Sequence, residues 1–222
     1  MIFKNLNRIV FAGDSVTDMG SAQPVGEGLF DNLGRSYVRV IENMLYTWYP
    51  ELNFRITNSG ISGNTSRDLL ERYDRDVLSL EPDYVSICIG INDVWRQFDV
   101  PGIPSEACTP DEYEHNLREM IERTRDKVLR LFLATPYFME PCRADRMRAR
   151  MDEYSDIVRR LSSEYGCELV DFQAAYDRFF EHKHSAIIAW DRVHPNQIGA
   201  TLMAREFLSH CGFDYGHMPV EK

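Results

Sequence analysis

The sequence predicts an α/β protein in which helices cover both faces of a parallel sheet. Strand and helix signals alternate along the 222 residues, with no repeat, low-complexity stretch or linker between them. Two of the strand segments, Ile9–Ala12 and Tyr84–Ile89, are short and almost wholly apolar, which is typical of strands buried on both faces. Such alternation indicates a three-layer α/β/α sandwich with a five-stranded parallel sheet, of the flavodoxin-like type. We expect residues 1–222 to form a single domain, because this length suits one hydrophobic core.

The predicted elements follow one another with short connections, and several helix ends carry a clear signal. The predicted strands are 9–12, 54–57, 84–89, 128–134 and 167–170, and the main helices are about 36–49, from about 66, 110–127, 147–165 and 198–208. Thr109 followed by Pro110 predicts a helix start. Gly166 predicts a helix end, and Asn196 is a good N-cap. A glycine-rich loop, residues 20–34, separates the first strand from the first long helix.

Composition and charge restrict the classes of partner. The net charge of −10 argues against a nucleic-acid partner, which needs a basic surface for phosphates. No apolar stretch of the sequence is long enough to span a membrane, and the first strand begins too early for a signal peptide to precede it. The five cysteines are odd in number and scattered, which favours free thiols in a reducing compartment. We therefore expect a cytoplasmic protein.

Two short motifs near the ends of the chain predict a nucleophilic serine. Ser15 follows the first strand, at the end where ligands bind in open α/β sheets. A serine hydroxyl needs an adjacent base, and that base needs a group to orient it. His194 and Asp191 can supply these two roles, because the Asp-x-x-His spacing lets one turn of chain carry both. Since the base must be neutral, we expect activity to fall on acidification.

The loops after the second and third strands offer donors for an oxyanion. Acyl transfer passes through a tetrahedral oxyanion that preorganised N–H groups stabilise. Gly63 can offer its backbone N–H, because glycine permits unusual dihedral angles and close approach. Asn92 can offer its side-chain amide, and Ser15 its own backbone N–H. We predict these three groups as the oxyanion hole.

Four motifs of the chain resemble those of the SGNH (GDSL-type) hydrolases. The matching blocks are Gly13-Asp14-Ser15, Gly63 within residues 61–65, Asn92 within residues 90–93, and Asp191-x-x-His194. Val16 stands where the family usually has leucine, which is a mild departure. The choice of Gly63 rather than Gly60 as donor rests on the match of Ser-Gly-Asn-Thr to the second block of the family.

A narrower resemblance covers nearly the whole chain, from Ile9 to Phe213. The strings at residues 13–18, 60–65, 90–97 and 189–195 are similar to those of intracellular acetylxylan esterases, in the same order and spacing. The resemblance implies the SGNH hydrolase fold and a serine carbohydrate esterase. Its expected activity is removal of acetyl groups from xylo-oligosaccharides through an acetyl-enzyme. It also implies homo-oligomers, and the mechanism requires no metal and no other cofactor.

Three residues are further candidates for contact with the substrate. Trp95 and Trp190 lie beside Asn92 and Asp191 in the sequence, and large flat side chains suit sugar faces. Either tryptophan can equally be a packing residue. Asp14 is also a candidate substrate-binding residue, although an aspartate before a helix is frequently only an N-cap.

Other functions remain open at this stage. The same machinery serves esterases, lysophospholipases and thioesterases that act on other acyl groups. The patterns Gly13-Asp14-x-x-x-Asp18 and Asn92-Asp93 also suggest a metallophosphoesterase, but the further metal-binding histidines that such an enzyme needs are missing. A catalytically silent carbohydrate-binding module is the third alternative, against which the complete set of Ser, Gly, Asn, Asp and His argues.

Overall fold

The computed structural model describes residues 1–99 and 107–219, and within them one sheet has six strands. These are β1 (Arg8–Gly13), β2 (Gly26–Glu27), β3 (Arg55–Gly60), β4 (Tyr84–Cys88), β5 (Arg130–Ala134) and β6 (Glu168–Val170). Their order is β2-β3-β1-β4-β5-β6. The five longer strands are parallel and follow the 2-1-3-4-5 order of flavodoxin-like sheets. The predicted fold class is confirmed.

The helices form two layers, one on each face of this sheet. They are α1 (Ser15–Asp18), α2 (Tyr37–Trp48), α3 (Ser66–Asp76), α4 (Ile91–Trp95), α5 (Pro110–Thr124), α6 (Arg146–Tyr165), α7 (Phe172–Phe180) and α8 (Gln197–His210). Helices α2, α7 and α8 pack together on one face, and α3, α4, α5 and α6 on the other. The predicted caps Thr109 and Asn196 each accept a hydrogen bond from the first turn of their helices. Gly166 ends α6 with a φ of +66°, the left-handed conformation that glycine adopts readily.

Two features of the sheet differ from the prediction. The short strand β2 pairs antiparallel with β3 at the sheet edge. The sheet therefore has one strand more than the five that the sequence predicted. The two residues of β2 lie in the glycine-rich loop and carry no apolar pattern that could reveal them. Strand β3 also continues to Gly60, through Asn58 and Ser59, which are fully buried. Their polar side chains resemble loop residues in sequence, but hydrogen bonds satisfy them inside the fold.

The order of the strands determines where a site can form. Strand β1 is central, with β3 on one side and β4 on the other. Because the chain moves to opposite sides after β1 and after β3, the carboxyl end of β1 lies at a topological switch point, where open α/β sheets bind ligands. Gly13 at the end of β1 is in register with Gly60 of β3 and Cys88 of β4. The segments that follow these three strands therefore begin side by side.

Candidate active site

Ser15 lies at the first position of α1, directly after β1. Asp14 caps this four-residue helix, since its Oδ1 accepts a hydrogen bond of 3.0 Å from the Val16 N–H. The preceding Gly13 has no room for a side chain, because a Cβ would lie 2.3 Å from Thr17 Oγ1 and 2.4 Å from the Cys88 carbonyl oxygen. The tight turn from strand to helix thus requires glycine and brings the Ser15 hydroxyl to the end of the sheet.

The structure brings together the serine, the histidine and the aspartate that the two terminal motifs predicted. Ser15 Oγ lies 2.8 Å from His194 Nε2, across 179 positions of sequence. His194 Nδ1 lies 2.6 Å from Asp191 Oδ2. Because an ionised carboxylate can only accept, the ring proton belongs on Nδ1. The neutral ring then presents the lone pair of Nε2 to the Ser15 hydroxyl, which is the arrangement that general-base catalysis needs.

The local fold of residues 191–194 explains this geometry. Asp191 Oδ1 accepts hydrogen bonds from the Val193 and His194 N–H groups, at 3.0 and 2.9 Å. Burial raises the pKa of Asp191, but the hydrogen bonds from the His194 ring and from these N–H groups outweigh it and leave the pKa below its ordinary value. The carboxylate therefore stays ionised and can stabilise a protonated His194.

Neighbouring segments hold the 191–194 turn in place. Arg192 adopts a φ of +63°, which is unfavourable for a residue with a side chain by about 1 kcal/mol. Its carbonyl accepts a hydrogen bond from the Met139 N–H, at 2.9 Å, and its guanidinium pairs with Glu140, at 2.7 Å. The Tyr137 hydroxyl donates to the Val193 carbonyl, at 3.1 Å. The segment after β5 thus anchors a turn that is otherwise open to solvent.

Gly63 lies in a tight turn after β3. The Asn64 N–H donates to the Ile61 carbonyl, at 3.2 Å, which makes Gly63 the third residue of a four-residue turn. Its φ is +87°, a value that this position favours in a type II turn and that suits glycine. A Cβ on Gly63 would meet nothing within 4 Å, so conformation rather than space requires glycine here. The turn hydrogen bond uses the N–H of Asn64 and leaves that of Gly63 for a ligand.

Asn92 and Ser15 complete the predicted set of oxyanion donors. Asn92 lies in the first turn of α4 and is 3 % exposed. One of its amide hydrogens is donated to the Asn64 carbonyl, at 2.9 Å, which fixes the plane of the amide; the other hydrogen is the one predicted to contact an oxyanion. The Ser15 N–H has no acceptor within its own helix, because the first N–H groups of any helix lack one.

Two buried polar residues, whose structural roles the sequence reasoning did not predict, also support the site. Asn58 donates from Nδ2 to the carbonyls of Thr17 and Leu33, at 2.7 and 2.9 Å. It thereby ties β3 to the helix that begins with Ser15. Asp93 accepts hydrogen bonds from the N–H and the hydroxyl of Ser66, so it joins α4 to the helix that follows the Gly63 turn. Asn58 stands in a run of polar residues, Thr57 to Ser59, so the sequence gives no signal of its role inside the sheet.

Burial shifts the titration of two carboxyl groups beside the site. Burial, with a smaller contribution from the negative charge of Asp93, raises the pKa of Asp14 to about 7 against the hydrogen bond from Val16. Burial likewise raises the pKa of Asp93 to about 6, against the hydrogen bonds from Ser66. Asp14 has no exposed surface. The predicted contact of Asp14 with substrate does not fit this position, and Asp14 is the N-cap of α1 instead.

The two candidate tryptophans have very different environments. The Trp95 ring is partly buried against the core, and its centroid lies 5.8 Å from that of His194. Trp190 is 90 % exposed, so it is not a packing residue in this chain. Trp95 therefore lies beside the triad, and Trp190 precedes Asp191 in the chain.

Residues 1–99 and 107–219 contain neither a metal site nor a membrane-spanning helix. No group of three or more His, Cys, Asp or Glu side chains in these ranges is arranged to hold a metal ion. No helix in the same ranges combines the length and the apolar character that crossing a membrane requires.

Comparison with known proteins agrees with this geometry. The sequence model of the GDSL-like lipase/acylhydrolase family matches residues 11–202. An acetylxylan esterase of Geobacillus stearothermophilus is 44 % identical over 208 residues, which are 94 % of this chain and 95 % of that protein. Its crystal structure superposes with a TM-score of 0.94 at 43 % identity, covering 96 % of this chain and 98 % of that one. Solved variants of that enzyme include catalytic mutants in which a serine, a histidine or an aspartate is replaced by alanine.

A second relative points to the same class of enzyme. An α/β hydrolase from the metagenome of Lake Arreo, Spain, is 48 % identical, with a TM-score of 0.93 over 96 % of this chain and 98 % of its own. The family match, the two close relatives and the shared fold lead to one conclusion. This chain is a carboxylic ester hydrolase that belongs to the GDSL-like lipase/acylhydrolase family.

Proposed function

We propose that this protein removes acetyl groups from xylo-oligosaccharides, with Ser15 as nucleophile, His194 as general base and Asp191 as the group that orients it. The observation that carries the proposal is the chain of contacts from Ser15 Oγ to His194 Nε2, at 2.8 Å, and from His194 Nδ1 to Asp191, at 2.6 Å. The substrate class rests on the likeness to the acetylxylan esterase of Geobacillus stearothermophilus, at 44 % identity.

In the first half of the reaction, Ser15 Oγ attacks the acetyl carbonyl while His194 takes its proton. The negative charge that develops on the carbonyl oxygen accepts hydrogen bonds from the N–H groups of Ser15 and Gly63 and from the Asn92 amide. Each such donor lowers the barrier by about 3 kcal/mol. When the tetrahedral intermediate breaks down, His194 gives its proton to the sugar oxygen, and the saccharide leaves as an alcohol.

In the second half, water takes the place of the sugar hydroxyl. His194 accepts a proton from this water, which attacks the acetyl-Ser15 carbonyl. The same three donors stabilise the second oxyanion. Collapse of that intermediate returns the proton to Ser15 Oγ and releases acetate. Throughout both halves, the ionised Asp191 stabilises the protonated His194, in line with the lowered pKa of Asp191.

The test is acetate release from acetylated xylo-oligosaccharides by the wild type beside Ser15→Ala. We expect rapid release by the wild type and a fall in kcat of about 10⁴-fold or more in the variant, because the residual machinery retains only binding and the oxyanion donors. Comparison of acetyl with octanoyl esters tests the size of the acyl group. Preference for the longer chain would move the assignment to a lipase or thioesterase on the same machinery.

We also propose that the protein forms homo-oligomers and acts in the cytoplasm. Exposure of the adjacent Leu29 and Phe30, at 79 and 88 %, supports association, since contiguous exposed apolar side chains mark interaction sites. The five cysteines are unpaired, which suits a reducing compartment. Sedimentation velocity tests the first proposal, and a purely monomeric species at micromolar concentration would refute it. Fractionation of the source cells tests the second.

A further inference from the structure

Arg72 is a buried cation that lies behind the candidate oxyanion hole. Its side chain projects from α3 and is 6 % exposed. Burial lowers the pKa of Arg72, while the charge of Asp76 acts in the opposite direction. Burying a guanidinium is unfavourable unless its donors are satisfied. The identity of its acceptors therefore indicates what the residue is for.

The acceptors of Arg72 come from three segments of the site. Nη2 donates to the Gly13 carbonyl at the end of β1, at 3.0 Å, and to the Ser59 carbonyl near the end of β3, at 2.9 Å. Nη1 donates to Ser59 Oγ, at 3.0 Å. Nε donates to Asn64 Oδ1, at 2.7 Å. One planar side chain thus joins the strand that ends before Ser15 to the turn that contains Gly63.

A simple ion pair does not explain this arrangement. The nearest carboxylate oxygen, Asp76 Oδ2, is 3.5 Å from Nη1. Asp76 has closer contacts with Arg75, at 2.7 and 2.9 Å, and hydrogen bonding to Arg75 is the first cause of its lowered pKa. The shorter hydrogen bonds of Arg72 all go to uncharged oxygens, which the rigid fork of a guanidinium can hold at fixed angles.

Asn64 receives contacts on both its side chain and its backbone. Its Oδ1 accepts from Arg72, and its carbonyl accepts from Asn92, at 2.9 Å. Its own N–H closes the turn that sets the orientation of Gly63. Any rotation of this turn would move the Gly63 N–H away from the oxyanion, and displacement by about 1 Å can reduce a rate about 100-fold.

We propose that Arg72 is a positioning residue, which holds the Gly63 turn in register with the Ser15 turn through Asn64 Oδ1 and the Gly13 carbonyl. This inference rests on the proposed function, because it assigns Gly63 the role of an oxyanion donor. Arg72 does not touch the reacting atoms. It acts by fixing the distance between Ser15 and the Gly63 N–H, which stabilises the oxyanion that forms when Ser15 attacks.

The test uses Asn64→Leu and Asp76→Asn as a matched pair, with 4-nitrophenyl acetate as substrate. Asn64→Leu removes one short acceptor of Arg72 at similar size, whereas Asp76→Asn neutralises its only carboxylate partner within 4 Å among the described residues. We expect kcat to fall about 10- to 100-fold in Asn64→Leu, with KM changed less than about 3-fold. In Asp76→Asn we expect a lower Tm and a kcat within about 3-fold of the wild type.

Arg72→Lys and the double variant Arg72→Lys/Asn64→Leu complete the experiment. Lysine keeps the charge but loses the planar fork, so kcat should fall about as far as in Asn64→Leu. If Arg72 acts through Asn64, the double variant should show much less than the product of the two single effects. The pH profile of kcat should stay unchanged in every variant, because none of these residues transfers a proton.

Two results would overturn the inference. The first is a kcat in Asn64→Leu equal to that of the wild type. The second is independent, multiplicative effects of the two substitutions. Failure of the proposed function has a different signature, because the wild type itself would then release no acetate from acetylated xylo-oligosaccharides. Circular dichroism of each variant confirms that kcat refers to folded protein.

Discussion

The protein holds the two halves of the site in different ways. The nucleophile half, Ser15 with Gly63 and Asn92, lies at the carboxyl ends of β1, β3 and β4, and buried side chains hold its backbone. The base half, Asp191 and His194, lies on a partly exposed turn beside the fully exposed Trp190. Its turn depends on one left-handed residue and a few contacts with the segment after β5.

This difference suits the chemistry that we propose for each half. Stabilising an oxyanion requires dipoles that do not reorganise during the reaction, and the core of the sheet supplies that rigidity. Transferring a proton to the departing sugar requires access to solvent and substrate, which a surface turn supplies. Substitutions in the base half should therefore lower activity with little change in stability, whereas substitutions in the nucleophile half should lower both.

The largest effect on activity is expected for Asp191→Asn in the base half. The amide oxygen can still accept from the Val193 and His194 N–H groups, so the turn should persist. The amide no longer favours a proton on His194 Nδ1, and kcat should fall about 10⁴-fold, as the same change does in serine proteases. Steady-state kinetics measure this fall, and a loss of less than tenfold would contradict the role of Asp191. Tm should change little.

In the nucleophile half, Asn92→Ala should lower both activity and stability. Removing one oxyanion donor lowers kcat about 10²- to 10³-fold. The Asn64 carbonyl also loses its donor, and the free energy of unfolding should fall by about 1 kcal/mol. Urea unfolding and steady-state kinetics on the same preparation measure the two effects. If the variant is destabilised but fully active, Asn92 is not an oxyanion donor and only supports the Asn64 carbonyl.

Asp14→Asn tests the burial of the nucleophile half through the pH dependence of the free energy of unfolding. The folded-state pKa of Asp14, about 7, lies above the ordinary value of 3.8, so the folded protein binds the proton more tightly than the unfolded chain. Its contribution to stability is then full at low pH and is lost as pH rises from about 4 to about 7. The free energy of unfolding of the wild type should fall more between about pH 5 and about pH 8 than that of Asp14→Asn.

Chemical unfolding at the two pH values measures this difference, and comparison within each protein cancels any constant effect of the amide. Identical pH dependence of the two proteins would contradict a raised pKa of Asp14. Asp93 is present in both proteins, and its charge is a smaller cause of the raised pKa of Asp14 than burial, so its own titration largely cancels in the comparison.

The smallest effect is expected for Trp190→Ala in the base half. Because its side chain is exposed, the free energy of unfolding should change by less than about 0.5 kcal/mol. If the ring contacts a sugar, KM for acetylated xylo-oligosaccharides should rise about 2- to 10-fold, while KM for 4-nitrophenyl acetate stays constant. Equal changes in both KM values would remove Trp190 from sugar binding.

Much of the fold was predictable because its signals are local. The apolar runs of β1 and β4 and the caps Thr109, Gly166 and Asn196 each depend on a few neighbouring residues. Strand β2 was not predictable, because two residues in a loop acquire a strand conformation only by pairing with β3. The extension of β3 through Asn58 was not predictable for a related reason, because the polar side chain of Asn58 donates to the carbonyls of residues distant in sequence.

The site was predictable where motifs carry the chemistry and not where the fold alone assembles it. Ser15, His194 and Asp191 stand in recognisable patterns, and the structure brings them into contact; their catalytic roles stay predictions. Arg72 stands in no such pattern, and the motif that contains Asp93 does not show its link to Ser66, because both roles depend on which loops meet after folding. The burial of Asp14 was also hidden, since an aspartate beside a nucleophile has the same sequence signature whether it faces substrate or core.

The most direct measurement of the central claim is covalent trapping of the nucleophile. Wild type, Ser15→Ala and Asp191→Asn are treated with diethyl 4-nitrophenyl phosphate, and the modified peptide is identified by mass spectrometry. We expect one phosphoryl adduct on Ser15 of the wild type, with loss of activity in proportion, far slower labelling of Asp191→Asn and none of Ser15→Ala. Full inactivation with Ser15 unmodified, or equal labelling rates of the wild type and Asp191→Asn, would contradict the account.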